Sequence, residues 1–464
     1  MKKLFLSFLL TLSFAICSYA QDGKLKFLAV NDIHSHIEYF PQLAFIVDSI
    51  RAICPDLQLV SGGDNRTGNP WNDMAAEPHI PMVELMNTLG FNMSVMGNHE
   101  CDESQASFAN TVNKSRFPYL VANMYAHDTL AIHTTPFKFI KINDLRVAVL
   151  GLVGLGPLGI PDCHPDRVTG IHFTNPLKEA KRYSWLRNEC DVYILLSHLG
   201  KKEEIKLAKE HPEFDLIIGG HSHDLVPGEK HNGVFITQAL SYTEFVNEID
   251  ITVEDGKVKD ITCKSISIKA ATGVNEKVEA MVSDYANHPE FKRVLTTAVN
   301  PFKTKEELGY MMTDAIRRET EVDIVLQNVG GIRISSMPAG DISVEKILSI
   351  DPFRNTVFVY ELTGAQVLKL LEDQPRSFVS GIRHYVKKSR GKYTFTISRV
   401  NGKRFNKKKR YRVATNNFVA SVSKVLKPLP YTDLNTTTTD YVISYLEKQE
   451  SVNYKGKKCL VLKR

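Results

Sequence analysis

Residues 93–102, MSVMGNHECD, place a short apolar run directly before the polar sequence Gly97-Asn98-His99-Glu100. Four further segments in the first half of the chain share this arrangement, in which histidine or aspartate follows an apolar, strand-like run. They are Asp32-Ile33-His34 after Phe27–Val30, Gly63-Asp64-Asn65 after Leu57–Val60, Ser197-His198 after Val192–Leu196, and Gly220-His221-Ser222-His223 after Leu216–Ile218. Ligands collect at the carboxyl ends of strands in open α/β sheets, so the five motifs together predict one metal site.

The residue types of these motifs suit divalent cations. Aspartate, asparagine and histidine donors bind borderline divalent ions, and a carboxylate such as Asp64 can bridge two of them. One ion lowers the pKa of a bound water, while both neutralise the oxygens of a phosphoryl group under in-line attack. His99 directly follows Asn98, so the two cannot comfortably serve the same ion. With Asp102 three residues on, His99 is predicted to be an acid or an electrostatic clamp oriented by that carboxylate.

Each motif also has a simpler interpretation. A lone histidine such as His198 is more often hydrogen-bonded within a fold than bound to a metal, and the glycine pair before His221 can simply mark a turn. The joint occurrence of five strand-end motifs in a chain with 15 histidines favours a dinuclear centre. Histidines that lack this context are assigned to structural roles, namely His36, His79, His164, His172, His211 and His231.

The first 20 residues predict export. Lys2 and Lys3 precede an apolar stretch, and the small-residue end at Ala20 fits cleavage of a secretory signal peptide. We therefore expect a periplasmic or secreted protein without a membrane span. Cys17 could suggest a lipid anchor, but the residues before it favour plain cleavage. The six remaining cysteines leave one or two disulfides and free thiols as open alternatives.

Basic residues are concentrated in one segment. The chain has a formal net charge of +6, and the segment between Gln374 and Arg412 contains 14 Lys or Arg residues and no Asp or Glu. The favoured interpretation is the solvated face of a twisted hairpin. The alternative is a functional patch that attracts an anionic substrate or a polyanion.

The order of apolar and helical patterns predicts two domains in a chain of 464 residues. The first half alternates strand-like runs with helical patterns, which implies crossover connections, and alternating segments from Val234 onward suit antiparallel strands. Glu276–Asn287 has the pattern of a connecting helix, and a second unit begins near Pro301. The predicted divisions are a first domain over 21–272, a linker helix over 273–300 and a second domain over 301–464.

The motif order D-x-H, G-D, G-N-H-E, S-H and G-H-S-H resembles that of the calcineurin-like metallophosphoesterases. With the signal peptide and the second domain, the chain resembles the exported 5'-nucleotidase family, which includes UDP-sugar hydrolases and 2',3'-cyclic phosphodiesterases. The resemblance implies an α/β fold, with an N-terminal four-layer β-sandwich flanked by helices and a smaller α+β substrate-binding domain. It also implies ligand sets of Asp32, His34, Asp64 and His223 for the first ion, and of Asp64, Asn98, His198 and His221 for the second. His99 and Asp102 would be the catalytic dyad. Some relatives have glutamine at the position of His223.

Three segments of the second half carry the rest of the resemblance. Residues 328–333 are similar to the family's N-x-G-G-I-R element, residues 352–355 to P-F-x-N, and residues 415–418 to T-N-x-F. The resemblance implies substrate contacts by Asn328, Arg333, Phe353, Asn355 and Phe418, with the two phenylalanines stacking on a nucleobase. An arginine fork also suits phosphate. The alternative for either phenylalanine alone is core packing.

The chain departs from the family pattern in two places. The G-G-D-G stretch whose aspartate holds the ribose hydroxyls is replaced by residues 419–426, VASVSKVL. Lys303 and Lys305 stand where the family often places an arginine, so that a point charge replaces a fork.

These features predict an exported hydrolase of nucleotide catabolism, a metal-dependent 5'-nucleotidase in which metal-bound hydroxide releases phosphate from 5'-nucleotides. The alternative is a phosphodiesterase or pyrophosphohydrolase acting on 2',3'-cyclic nucleotides or UDP-sugars. A second alternative is a non-enzymatic nucleotide or polyanion binder, although a pure binder has no need of all seven ligands. Two divalent ions are expected, with Zn, Mn, Fe and Co left open. A small nucleotide is the expected partner, nucleic acid is not expected, and the oligomeric state is left open.

Overall fold

The computed structural model describes residues 22–457, so the predicted signal peptide, Cys17 and Cys459 lie outside the described residues. The N-terminal part contains fourteen strands within this range. They are β1 Gly23–Val30, β2 Gln58–Ser61, β3 Met93–Val95, β4 Tyr119–Leu120, β5 Met124–Ala126, β6 Phe137–Ile142, β7 Leu145–Val153, β8 Ile171–Phe173, β9 Val192–His198, β10 Leu216–Ile218, β11 Leu225–His231, β12 Val234–Ala239, β13 Phe245–Glu254 and β14 Lys257–Ser267. The accompanying helices are α1 Phe40–Arg51, α2 Pro70–Asp73, α3 Ile80–Leu89, α4 Gln105–Lys114, α5 Pro176–Arg182, α6 Lys201–Glu210 and α7 Glu276–Ala286.

Twelve of these strands form two six-stranded sheets that face each other. The first sheet has the order β14-β13-β1-β2-β3-β4 and the second has the order β11-β12-β10-β9-β7-β6, while β5 and β8 pair separately. In β1, Phe27 points into the apolar layer between the sheets, whereas Leu28 points toward α1, α3 and α4 on the outer face. Helices α5 and α6 cover the second sheet in the same way. The predicted four-layer sandwich flanked by helices is therefore confirmed.

One strand differs from its expected pairing. β12 lies parallel to β10 as well as antiparallel to β11, although the pattern from Val234 onward suggested only antiparallel strands. The physical reason is burial, because Val234–Ala239 is buried along its whole length, as is typical of strands within parallel sheets. β13, by contrast, is antiparallel to both of its neighbours, β1 and β14.

The C-terminal part is an α+β unit. Its strands are β15 Val294–Ala298, β16 Ile324–Gln327, β17 Gly340–Ser343, β18 Thr356–Thr363, β19 Phe378–Ser380, β20 Ile382–Ser389, β21 Lys392–Val400, β22 Lys403–Arg404, β23 Arg410–Asn416, β24 Thr432–Thr437 and β25 Ser451–Val452. Its helices are α8 Lys305–Thr320, α9 Val344–Ile350, α10 Gly364–Asp373, α11 Asn417–Val422 and α12 Thr438–Glu447. A five-stranded sheet of order β19-β16-β23-β18-β24 is central, with α8 and α12 on one face. Helix α10 and the small sheet β20-β21-β22 cover the other face.

The predicted linker helix packs on the first unit. Val278 and Val282 of α7 are buried in the same apolar cluster as α1. The predicted boundaries at residues 272 and 300 remain predictions.

No helix within residues 22–457 is long and apolar enough to cross a bilayer. The five cysteines in that range, Cys54, Cys101, Cys163, Cys190 and Cys263, are free thiols.

Candidate metal centre and substrate cleft

The two sheets bring the predicted ligands to one edge of the sandwich. Parallel strands β1, β2 and β3 end next to one another and present Asp32, His34, Asp64 and Asn98. Parallel strands β9 and β10 end opposite them and present His198, His221 and His223. The carboxyl ends of parallel strands lie at one edge, so residues up to 191 positions apart in the sequence meet there.

The first predicted ligand set forms a tight group. Nε2 of His34 lies 3.0 Å from Nε2 of His223, and Nε2 of His223 lies 3.3 Å from Oδ1 of Asp32. Oδ2 of Asp64 lies 3.7 Å from Nε2 of His34. Oδ1 of Asp32 is buried and has no hydrogen-bond partner among residues 22–457. A buried carboxylate oxygen of this kind needs a positively charged partner, so the donor set fits a cation.

The second predicted set lies directly beside the first and shares Asp64 with it. Oδ2 of Asp64 is 3.1 Å from Nε2 of His198. Oδ1 of Asn98 is 3.3 Å from the same nitrogen and 2.9 Å from Nδ1 of His221. Burial disfavours a charged His198, but Asp64 outweighs it and raises the pKa of His198 to about 10. The carboxylate of Asp64 therefore favours a positively charged group at the position of the His198 ring.

Backbone contacts orient the two central imidazoles. Nδ1 of His34 donates to the carbonyl of Thr67 at 3.1 Å, and Nδ1 of His198 donates to the carbonyl of Gly62 at 2.7 Å. A carbonyl can only accept, so each Nδ1 carries a proton, and Nε2 is the ring atom directed into the cluster. Burial and the guanidinium of Arg333 hold the pKa of His34 well below its usual value. His34 is therefore neutral, as a metal ligand must be.

His99 lies at the border of this cluster and is paired with Asp102. Nδ1 of His99 is 2.5 Å from Oδ2 of Asp102, and Nε2 of His99 is 3.9 Å from Oδ2 of Asp64. Burial opposes protonation of His99, but Asp102 and Asp64 outweigh it and raise the pKa. Because Nδ1 is engaged by the carboxylate, Nε2 is the atom that can carry a transferable proton.

The second unit closes over this edge and forms a cavity of about 370 Å³. His99 and Asp102 line it on one side, and all five predicted substrate residues line it on the other, namely Asn328, Arg333, Phe353, Asn355 and Phe418. The ring of Phe353 stacks on His99 at 5.8 Å. Phe353 and Phe418 are each only partly buried. Core packing therefore does not account for all of their surface, and a planar group could contact both side chains.

Arg333 of the second unit lies at the cation cluster, and Lys305 lies near Arg333. Nη2 of Arg333 lies 3.0 Å from Nε2 of His34, and Nε of Arg333 is buried without a hydrogen-bond partner among the described residues. Lys305 is half-buried, and its pKa is lowered by burial and by Arg333. Lys303, by contrast, is exposed. A positively charged side chain that has no acidic partner favours an anionic ligand in the neighbouring cavity.

Known proteins carry the same two domains. Residues 25–225 match the calcineurin-like phosphoesterases, and residues 288–426 match the C-terminal domain of 5'-nucleotidases. The chain belongs to the two-domain 5'-nucleotidase family. It is 27% identical to Protein UshA of Escherichia coli over 431 residues, which cover 76% of this chain and 77% of UshA. It is 25% identical to a 5'-nucleotidase of Vibrio cholerae over 420 residues, which cover 75% of each chain.

A solved structure shows the same fold. The 5'-nucleotidase precursor of Thermus thermophilus superposes with a TM-score of 0.85 at 23% identity, covering 95% of this chain and 99% of that chain. Membership of the family makes this protein a metal-dependent phosphoesterase that acts as a hydrolase.

Two buried carboxylates of this 5'-nucleotidase family member support the ligand loops and were not predicted. Glu100 accepts from the backbone of Gly97, Asp64 and Asn65, so it joins the loops after β2 and β3. Glu204 on α6 accepts from Ser197, Gln238 and the backbone of Gly220, so it joins the loops after β9 and β10. Burial raises the pKa of Glu204 to about 7. Glu100 lies within a motif and could have been found, whereas Glu204 lies in a charged helical segment that gives no signal.

Two aromatic residues near the cluster were also missed. Tyr242 packs against the rings of His34 and His223 at 5.5 and 5.3 Å. His164, which was assigned a structural role, lines the substrate cavity. Neither residue follows a strand-end motif, so only the folded chain identifies them.

The missing family aspartate corresponds to a packed segment. Residues 417–422 form α11, whose first turn is capped by the side chain of Asn416, and Val419 and Leu426 are buried in the adjacent core. The position is therefore occupied by packing residues. Asn417 does line the cavity, and its Oδ1 is buried without a hydrogen-bond partner among residues 22–457.

Proposed function

We propose that this protein is an exported 5'-nucleotide phosphohydrolase that uses two divalent cations. The observation that carries the proposal is the convergence on one cavity of two carboxylate–histidine groups from the first unit and of Arg333, Phe353 and Phe418 from the second. Lys305 adds positive charge near Arg333. The carboxylate–histidine groups suit cations, whereas the positive and aromatic side chains of the second unit suit a phosphate joined to a planar base. Export rests on the character of residues 1–20.

The two ligand sets proposed above each offer several donors to a cation. Asp32, His34 and His223 have ligand atoms within 4.8 Å of one another, and so do Asp64, His198 and His221. Asp64 also lies within reach of His34, so its carboxylate suits a bridging role. Bound there, two divalent cations would supply a deprotonated water near neutral pH and neutralise phosphoryl charge.

The remaining residues of the cleft have separate roles in the proposal. Arg333 and Lys305 bind the phosphoryl oxygens, and the two phenylalanines hold the base. His99 donates the proton on Nε2 to the 5'-oxygen of the leaving nucleoside, while Asp102 holds the ring through Nδ1.

The role of His99 is tested by the variant His99→Asn. We expect phosphate release from AMP or UMP in the presence of Mn²⁺ or Zn²⁺ to fall by about 100-fold or more, with metal content unchanged by mass spectrometry. His172→Asn is the matched control, because His172 is exposed and lies on β8 outside the cleft. Full activity of His99→Asn would overturn the assigned role.

A second candidate activity is hydrolysis of phosphodiesters or pyrophosphates. A further cavity of about 530 Å³ also reaches the cation cluster, since Asn98, His198 and His221 line it, whereas Phe353 does not. A diester or pyrophosphate substrate whose phosphorus atom lies at the cation cluster could therefore place its second substituent in this cavity.

The two activities are separated by a substrate panel of AMP, UMP, 2',3'-cyclic AMP, UDP-glucose and bis(p-nitrophenyl) phosphate, with and without chelator. Chelator-sensitive phosphate from the monoesters supports the first activity. Turnover of the diesters or UDP-glucose alone would replace it by the second.

A further inference from the structure

Three arginines form a row across the outer face of the small sheet β20-β21-β22. Arg383 is the cross-strand partner of Arg399, and Arg399 is the cross-strand partner of Arg404. All three side chains are exposed. Like charges directly opposite one another destabilise an antiparallel pair, so the row is unfavourable for the sheet by itself.

The row lies within a larger surface that lacks neutralising acids. All 14 basic residues between 374 and 412 are exposed, namely Arg376, Arg383, Lys387, Lys388, Arg390, Lys392, Arg399, Lys403, Arg404, Lys407, Lys408, Lys409, Arg410 and Arg412. Within the described part of the chain, none of their side chains forms an ion pair with a carboxylate. In the same unit, by contrast, Arg317 and Arg318 both pair with Asp314.

The positive charge is concentrated in the segment 374–412, which includes this sheet, and is not spread over the chain. The chain has 58 Lys and Arg residues against 52 Asp and Glu residues, so the 44 basic residues elsewhere are outnumbered by acids. A localised positive field of this kind attracts polyanions over distances comparable with the Debye length.

The other face of the sheet explains how the row is held in place. Val386, Phe395, Ile397 and Val400 are buried against α10 and the five-stranded sheet. This packing fixes which side of the strands faces solvent. The apolar face explains why the hairpin exists, but it does not explain why the opposite face carries opposed arginines.

We propose that the outer face of β20-β21-β22 binds the phosphate backbone of a nucleic acid strand without preference for base sequence. Arginine forks bind phosphate oxygens, and the exposed hydroxyls of Thr394 and Thr396 lie on the same face as Arg383 and can also donate to phosphate. The composition alone did not predict a nucleic acid partner. The strand register, which places the arginines side by side, is the observation that changes this expectation.

A membrane surface fits the sheet less well. No large hydrophobic side chain between residues 374 and 412 is among the exposed ones, so an anionic bilayer would be bound by charge alone. A nucleic acid strand needs no apolar contact, because release of condensed counterions supplies the binding free energy.

The surface is distinct from the catalytic cleft. None of the 14 basic residues lines the cavity between the two units. Binding should therefore require neither cations nor an empty nucleotide site, and the inference does not rest on the proposed function.

The test is fluorescence anisotropy of the full mature protein with labelled dT20 in chelator over a series of salt concentrations. We expect binding that weakens with salt and persists in excess AMP. The triple variant Arg383→Gln, Arg399→Gln, Arg404→Gln should bind at least about tenfold more weakly, and the salt slope should fall by about 2, since each lost phosphate contact removes roughly 0.7.

The matched control removes the same charge elsewhere, at three exposed basic residues of the first unit. Arg116→Gln, Lys181→Gln, Lys257→Gln should change binding by less than about twofold. The far-ultraviolet circular dichroism spectrum and the midpoint of thermal unfolding serve as the folding control for both triple variants. Should the arginine triple fail that control, Arg399→Gln alone, at the centre of the row, should still weaken binding and lower the slope.

Four binding results would overturn the inference. They are no binding of dT20, displacement of dT20 by AMP, an equal loss in the control triple, and binding only to vesicles containing phosphatidylglycerol. Salt-sensitive dimerisation that the arginine triple abolishes would also overturn it, because the sheet would then bind a second copy of this chain.

Discussion

At the scale of single residues, five of the seven predicted ligands share an uncommon backbone conformation. Asp32, His34, Asp64, His221 and His223 all have positive φ values, between 49° and 77°. Left-handed conformations cost free energy for residues with a side chain, and they persist where the surrounding structure enforces them, as at functional sites. Residue type and strand-end position were readable in the sequence, but this conformation was not.

Asn417 offers the clearest prediction at the same scale. Its buried Oδ1 lacks a partner among residues 22–457 and lines the cavity, so we expect it to accept a hydrogen bond from the ribose in place of the missing aspartate. Asn417→Ala should raise KM for AMP by roughly 5- to 10-fold, in line with the loss of one hydrogen bond. Hydrolysis of p-nitrophenyl phosphate, which has no ribose, is the internal control. An equal effect on both substrates would contradict this role.

Gly97 provides a second residue-scale prediction. A Cβ atom at this position would lie 2.1 Å from Oδ1 of Asp64, so Gly97→Ala must displace a predicted ligand. We expect metal affinity to fall by about 10- to 100-fold, measured by titration of the metal-free protein. Gly159→Ala is the control, since nothing lies within 4 Å of its Cβ. The control should lose only about 1 kcal/mol of stability from its positive φ and keep its metal affinity. Normal metal affinity in Gly97→Ala would show that the loop adapts.

At the scale of elements, α6 holds two ligand loops together. Glu204 connects the loops that follow β9 and β10 through Ser197, Gln238 and Gly220. A buried carboxylate with three donors positions the histidines that follow those strands without touching a cation itself.

Glu204→Ala tests this positioning role. The variant leaves buried donors without an acceptor, so the free energy of unfolding should fall by about 2 kcal/mol, and metal affinity should fall by about tenfold. Glu210→Ala, an exposed residue on the same helix, should change neither quantity. Chemical denaturation and metal titration measure the two effects. A loss of stability with full metal affinity would show that Glu204 serves only the fold.

At the scale of the whole molecule, stability should depend on pH through His384 in the second unit. Burial lowers the pKa of His384 to about 4, and its Nε2 has no hydrogen-bond partner among the described residues. The unfolded chain binds the proton more readily, so stability is lost as pH falls below the pKa of the unfolded state, near 6.5. Between pH 8 and pH 5 the loss from this residue should be roughly 2 kcal/mol.

The comparison of His384→Leu with the unmodified protein isolates this contribution. Denaturant unfolding of the variant at pH 8 and pH 5 should show a difference smaller by roughly 2 kcal/mol. His172→Leu, at an exposed position, should keep the full difference. An unchanged pH dependence in His384→Leu would mean that His384 finds a proton acceptor in the folded protein.

The sequence by itself determined the strand-end motifs, the two-domain order and the general fold. Each of these depends on local patterns, in which an apolar run forms a strand and a polar residue directly after it must lie at the strand's carboxyl end. The same reasoning named Arg333, Phe353 and Phe418, although only through a resemblance in short motifs.

The tertiary structure alone decided which side chains meet. Sheet pairing brings Asp64 to His198, and closure of the second unit brings Arg333 to His34, although these residues are far apart in the chain. Strand register likewise aligned Arg383 with Arg399 and Arg404. Distance across a cleft and position along a paired strand depend on long-range packing, and no local pattern in the sequence records either of them.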